Sequence, residues 1–286
     1  MARDLTELRH EIDAIDDQLH DLLKQRTKIV EEVRLYKKNE RVKIRPAREA
    51  EIIYRLFAQH DGKFPKAELF RIWRELIVAT LRLEGPFSAG VFMAEDDSGF
   101  WDLARDHFGS YTPMTPYPST RRIIEAVQKQ EVTVGILPIP ARTEDDPWWR
   151  RLAFEGVDVP RVIARLPFVG GGNARSQDQE AIVVSPVPQE ATGRDHTYLV
   201  IESAEQFGTN QLNKVLEQVG LGLVFSTVSH DENRPQIWQI LIEVDEFLSS
   251  DDARIEAMKD AFAGTVEYIV NIGGYATPIG ADELAQ

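Results

Sequence analysis

The sequence predicts a multidomain chain: an all-α three-helix segment over residues 1–86, a short α/β segment over 87–193, and an α+β unit over 194–286. Three observations predict it. Apolar residues recur at spacings of three and four through the first third of the chain. From Ser88 onward, short strand-like runs alternate with helical ones. From Asp195 the elements read strand, helix, strand, strand, helix, strand, the ferredoxin-like order. A chain of 286 residues has length for two or three domains with hydrophobic cores.

The first helix is read from Leu5, Leu8, Ile12, Ile15, Leu19 and Leu22, then Ile29, Val33 and Tyr36. That pattern is a long amphipathic helix with coiled-coil character. Where the next apolar residue is due, the chain has Arg26. A second helix starts at Pro46, a residue suited to the first helical turn, and runs through Ile52, Ile53, Leu56 and Phe57 to the stop at His60-Asp61-Gly62-Lys63. A third starts near Pro65 and carries Leu69, Ile72, Trp73, Leu76 and Leu83 to Gly85-Pro86. Three helices, one of them very long, cannot bury that stripe within one subunit, so a dimer is expected.

In the middle segment, residues 90–94 and 132–138 read as strands, and 100–108 and 121–128 as helices. Residues 139–180 are rich in Pro, Gly, Asp and Arg, with Gly170-Gly171-Gly172-Asn173 among them, and predict loops and short elements. The last segment predicts strands over 197–201, 223–229, 237–244 and 266–271, with helices over 212–219 and 251–262.

Composition narrows the function. No run approaches the apolar length that spans a bilayer. The start, Met-Ala-Arg-Asp-Leu-Thr-Glu, lacks the basic-then-apolar layout of a signal peptide. With no cysteine, a cytoplasmic protein without disulfide or thiolate chemistry is expected. The net charge of −14 is uneven: residues 1–85 hold 18 Lys and Arg against 16 Asp and Glu, and the rest hold 15 against 31. A slightly basic segment within an acidic protein suits a small anionic ligand and excludes nucleic acid as the expected partner.

Polar residues that interrupt apolar stripes mark the candidate site. Lys37 follows Arg26 by 11 residues, about three turns and roughly 16 Å along the axis, on nearly the same face. Two long cations so placed can bracket a metabolite. Arg9 precedes Arg26 by 17 residues, roughly 25 Å, so only a partner helix brings it to the same ligand. On the third helix Thr80 and Glu84 continue the stripe of Leu69 and Leu76. Arg48 and Glu49 stand in the first turn of the second helix. On the residues alone, alternatives stay open: an arginine can snorkel out of an apolar seam, and Arg48-Glu49 can be a solvated helix entry. An anionic substrate is the economical partner for several cations on core-facing positions. Six scattered histidines form no ligand spacing, and no Gly-rich loop precedes a helix, so neither metal nor cofactor is expected.

Residues 3–86 resemble the all-helical class of chorismate mutases. The matching residues are Leu8-Arg9-xx-Ile12-Asp13-xx-Asp16-xx-Leu19, Leu22-Leu23-xx-Arg26, Val33-xxx-Lys37, then Pro46, Arg48 and Glu49. The run from Ile72-Trp73-Arg74-Glu75-Leu76-Ile77 to Leu83-Glu84 resembles the variant fused to prephenate dehydratase. The resemblance implies an intertwined homodimer with composite sites that rearranges chorismate to prephenate. It implies that Arg26, Arg48 and the partner subunit's Arg9 bind the two carboxylates, that Lys37 and Glu84 reach the ether oxygen, that Glu49 holds the ring hydroxyl and that Thr80 is a small hydroxylic contact. An Asp usual ahead of the Arg-Glu pair is not kept; Arg45 and Ala47 occupy that stretch. The rearrangement is unimolecular and needs only a compressed conformer and positive charge at the ether oxygen.

Residues 87–193 resemble a shortened prephenate dehydratase, through Gly99-Phe100-Trp101-xx-Ala104 and Val134-Gly135-Ile136-Leu137-Pro138-Ile139. Its glycine-rich first loop is Glu95-Asp96-Asp97-Ser98 here, its Glu-Asn-Ser is Pro140-Ala141-Arg142, and its Thr-Arg pair falls at Gln179-Glu180. With most of one lobe missing, dehydratase activity is expected to be lost. Residues 194–286 resemble an ACT regulatory domain, from Gly193-Arg194-Asp195-His196-Thr197 to Gly273-Gly274-Tyr275. Its effector motifs are poorly kept at Gly208-Thr209-Asn210-Gln211 and Ser229-His230-Asp231. An amino-acid effector and a plain dimerising unit are both open. Two rival functions remain: an isochorismate-pyruvate lyase on the same scaffold, and a non-catalytic amino-acid sensor.

Overall fold

The computed structural model describes residues 3–93, 98–170, 179–230, 234–262 and 264–284. The helical part opens with α1 (Leu5–Tyr36), a 32-residue helix about 48 Å long with no buried residue. Its apolar stripe faces outward in the single chain: Ile12 is 57% exposed, Leu22 58% and Ile29 62%. The chain returns through α2 (Pro46–Gln59), entered at its proline, and α3 (Lys66–Glu84), which stops at Gly85. All three helices start and stop close to their predicted punctuation.

The apolar residues of α3 occupy two faces rather than the single stripe read from the sequence. Phe70, Ile77, Val78 and Leu81 are buried, whereas Ile72 and Leu83 are 46% and 47% exposed. The buried face packs on α4 (Gly99–Phe108), so Val78 and Leu81 share a core with Phe87, Phe100, Leu103 and Phe108.

The rest of the chain builds one nine-stranded sheet. Its strands are β1 (Ala89–Phe92), β2 (Met114–Tyr117), β3 (Val134–Pro138), β4 (Arg161–Leu166), β5 (Ala181–Ser185), β6 (Asp195–Ser203), β7 (Leu223–His230), β8 (Trp238–Val244) and β9 (Val266–Ala276), ordered β2-β1-β3-β5-β4-β9-β6-β8-β7. β2, β1 and β3 are parallel, and β5 runs antiparallel to both β3 and β4. Helix α5 (Thr120–Gln128) covers this half, and its Ser119 cap accepts from the Arg122 amide.

Three strands went unread in the sequence: β2, β4 and β5. β2 contains Pro116, which removes a ladder donor and is tolerated because the strand lies at the sheet edge. β4 lies within the stretch expected to hold loops and short elements. Its apolar run is short and flanked by Arg161 and Arg165, and a register shift between Val162 and Ala164 breaks the alternation. The same stretch holds a 3-10 turn, Trp148–Leu152, whose tryptophans are fully buried. Gly171-Gly172-Asn173, Glu95-Asp96-Asp97 and Asp231 lie outside the described residues.

β6, α6 (Thr209–Gln218), β7, β8, α7 (Ala253–Ala261) and β9 form the predicted ferredoxin-like order, with antiparallel strands arranged β9-β6-β8-β7. Leu199, Ile201, Ile240 and Ile242 pack under α6 and α7. On the opposite face Tyr198, Val200, Leu241 and Ile272 meet Trp148, Trp149 and Leu152, so the core runs across residue 193. β4 and β9 join at Val162 and Gly273. Gly273 has φ +97°, and a Cβ there would lie 2.3 Å from the Val162 carbonyl oxygen, so this junction requires glycine. The last element among the described residues is the short α8 (Ala281–Leu284). Ile279 packs with Ala50, Ile53 and Phe57 of α2 beside Phe168 and Val169.

Candidate functional site

Where α1 crosses α3, four of the polar residues singled out in the sequence meet in two pairs. Arg26 Nη1 donates to Thr80 Oγ1 at 3.1 Å. The Thr80 hydroxyl in turn lies 3.0 Å from the Leu76 carbonyl and 2.9 Å from the Ile77 carbonyl, bonds that hold its rotamer on α3. One turn further along α3, Glu84 Oε2 accepts from Lys37 Nζ at 2.9 Å, with side chains only 10% and 20% exposed. Burial pushes the Arg26 guanidinium below its usual value, and the Glu84 carboxylate pulls it part of the way back. The groove therefore presents two cations, one carboxylate and one hydroxyl along a single side of α1 and α3.

Lys37 occupies the C-cap of α1, where its amide bonds the Val33 carbonyl. Sequence reasoning passed over Lys43, whose Nζ donates to the carbonyls of Lys37 and Glu40 and closes the turn behind Lys37. This contact ties the last turn of α1, with its partial negative charge, to a cation.

The remaining three candidates stand apart from this cluster. Arg9 is exposed on α1, roughly 25 Å of helix before Arg26. Arg48 is exposed at the entry of α2 and pairs with Glu51 at 3.0 Å. Glu49 is buried on α2, where its Oε2 accepts from Arg74 Nη1 at 2.6 Å. Arg74, 2% exposed, also donates from Nε to the His107 carbonyl at 2.7 Å. Burial, followed by the Arg74 charge, pushes the His107 imidazole well below its ordinary pKa.

Arg74 was legible in principle. With Phe70, Ile77 and Leu81 it forms a stripe at spacings of four, three and four, the same kind of interruption that singled out Arg26. The stripe of Leu69, Trp73 and Leu76 drew attention to the other face.

Residues 8–85 match the chorismate mutase type II family. Over 149 residues, 50% of this chain, the sequence is 27% identical to the bifunctional chorismate mutase/prephenate dehydratase of Stutzerimonas stutzeri, covering 40% of that protein. Over 141 residues, 48% of this chain, it is 31% identical to the protein of the same description from Aquifex aeolicus (strain VF5), covering 39% of it. The matches thus span about two fifths of the length of these curated relatives. Among solved structures, the prephenate dehydratase (PDT) from Staphylococcus aureus subsp. aureus Mu50 superposes with a TM-score of 0.50 at 8% identity, covering 66% of this chain and 100% of that one. That likeness is one of fold alone.

Proposed function

We propose that this chain is a chorismate mutase, which rearranges chorismate to prephenate in aromatic amino-acid biosynthesis at composite sites formed by a homodimer. The observation that carries the reading is the pairing of Arg26 with Thr80 and of Lys37 with Glu84, inside the segment that matches the chorismate mutase type II family. In this reading Arg26 binds one substrate carboxylate. The partner subunit's Arg9 and the chain's own Arg48 complete the anion site. The exposed Arg48–Glu51 pair, three residues apart, is worth no more than about 0.5 kcal/mol, so a substrate carboxylate readily displaces it. Lys37, oriented by Glu84 and by the turn at Lys43, supplies positive charge to the ether oxygen as the carbon–oxygen bond breaks. Holding the substrate in its compressed conformer supplies the rest of the rate. Glu49, held by Arg74 through Oε2, keeps Oε1 for the ring hydroxyl of the substrate.

Residues 87–193 serve in this reading as a dehydratase-like remnant without its own reaction, and residues 194–286 as an ACT-like unit open to an amino-acid effector. The βαββαβ order and the 0.50 superposition support the fold this reading gives these segments.

Incubation of the purified chain with chorismate and, separately, with isochorismate tests the reading. Chorismate is expected to give prephenate without enzyme-dependent phenylpyruvate. Formation of salicylate and pyruvate from isochorismate would favour the lyase. Turnover of neither substrate would favour a non-catalytic sensor.

A further inference from the structure

We propose that Arg74 is a positioning residue for the helical site: through Glu49 and the His107 carbonyl it clamps α2 and α3 to α4, so the segment after residue 86 sets the alignment of Arg48, Thr80 and Glu84. The proposal rests on the mutase reading above.

The geometry carries it in three steps. First, the entry of α2 has no side-chain cap, and Arg45 at the cap position pairs instead with Glu40 at 2.7 Å. The first turn of α2, which bears Arg48, is therefore held from the side by Glu49, the next residue, through the 2.6 Å bond to Arg74. Second, Arg74 lies on the same continuous helix as Thr80 and Glu84, so a shift of Arg74 moves both along the axis of α1. Third, the other end of the clamp belongs to the α/β segment. The His107 carbonyl that accepts from Arg74 is in the last turn of α4, whose partial negative charge suits a guanidinium. The adjacent Glu75 accepts from the Ser110 amide at 3.2 Å, so two consecutive residues of α3 grip the end of α4.

The walls around this clamp are apolar: Ile44, Ile53, Phe108, Ile163 and Phe168. A buried ion pair in such surroundings gives up much of its attraction to desolvation and adds little net stability, while its directional bonds fix one relative placement of the groups they join. Alignment, more than adhesion, is what this contact supplies.

Full-length Glu49→Gln/Arg74→Met, which removes the ion pair but keeps a hydrogen-bonding side chain of the same shape at residue 49, and Arg74→Lys test the proposal. Steady-state kinetics with chorismate would be read beside the melting temperature of each chain. The double variant is expected to fold and to raise KM about ten-fold, because Arg48, Thr80 and Glu84 lose their common alignment. Arg74→Lys keeps charge against Glu49 but forfeits the Nε bond, so its KM is expected between the two. A merely structural role would lower the active fraction, and hence apparent kcat, without moving KM. Wild-type KM and kcat in the folded double variant would overturn the proposal; should that chain fail to fold, the same result in Arg74→Lys would do so. A wild-type chain that does not turn over chorismate removes the mutase reading and this proposal with it. Wild-type turnover with unaltered variants removes only the proposal.

Discussion

Glu84 accepts from Lys37 at 2.9 Å, and that bond decides what its substitution should do. Glutamine keeps an acceptor for the ammonium and adds an N–H donor toward the ether oxygen, so Glu84→Gln is expected to remain active. Glu84→Ala leaves Lys37 unoriented and should cost about 3 kcal/mol of transition-state stabilisation, roughly a hundred-fold in kcat. Equal rates for the alanine variant and wild type would show that Glu84 does not act on Lys37. His107 gives a second test, of stability. Burial holds its imidazole neutral in the folded chain well below its ordinary pKa, whereas the unfolded chain takes up the proton near pH 6.5. The unfolded state then binds more protons as pH falls below about 6.5, so folding stability declines with slope up to about 1.4 kcal/mol per pH unit. Urea midpoints between pH 7.5 and 5 should fall for wild type and flatten for His107→Gln; parallel curves would contradict the buried neutral ring. Residues such as Arg26 and Lys37 were legible because one helix period exposes a polar interruption. The pairing of Glu49 with Arg74 was not, because the two are 25 residues apart and only the packing of α2 on α3 brings them together.

At the scale of elements, α1 is the part of the molecule that a single chain leaves unfinished. Ile12, Ile15, Leu19 and Leu22 are each more than half exposed on a helix with no buried residue. A second copy covering their exposed halves supplies burial worth roughly 1–1.5 kcal/mol per side chain. Sedimentation should therefore show a dimer for wild type and a monomer for Ile15→Glu/Leu19→Glu; a wild-type monomer at micromolar concentration would contradict the stripe's assigned role. The limits of α1, α2 and α3 could be read because Pro46, Pro65 and Gly85 punctuate the pattern. β4 could not. Its two flanking arginines and its bulge hide a strand that the sheet supports from both sides, by β5 and β9.

For the whole molecule, the cores ignore the borders that composition suggests. Trp148 and Trp149 pack with Tyr198 and Leu241 across residue 193, and Ile44, Val78 and Leu81 pack with Phe87 and Phe100 across residue 86. The ferredoxin-like order itself was legible, because each strand and helix of it has its own local period; its fusion into one sheet depends on the Val162–Gly273 junction, a long-range approach that no local pattern announces. The central claim is that each site draws cations from two chains: Arg26, Lys37 and Arg48 from one, and the partner subunit's Arg9 from the other. An Arg9→Ala chain mixed with an Arg26→Ala chain tests it most directly. Each alone should be nearly inactive. Random exchange at equal concentrations makes half of the dimers mixed, and each mixed dimer holds one intact site, so about a quarter of wild-type chorismate turnover should return. No recovery, with subunit exchange demonstrated in the same sample, would contradict the composite site.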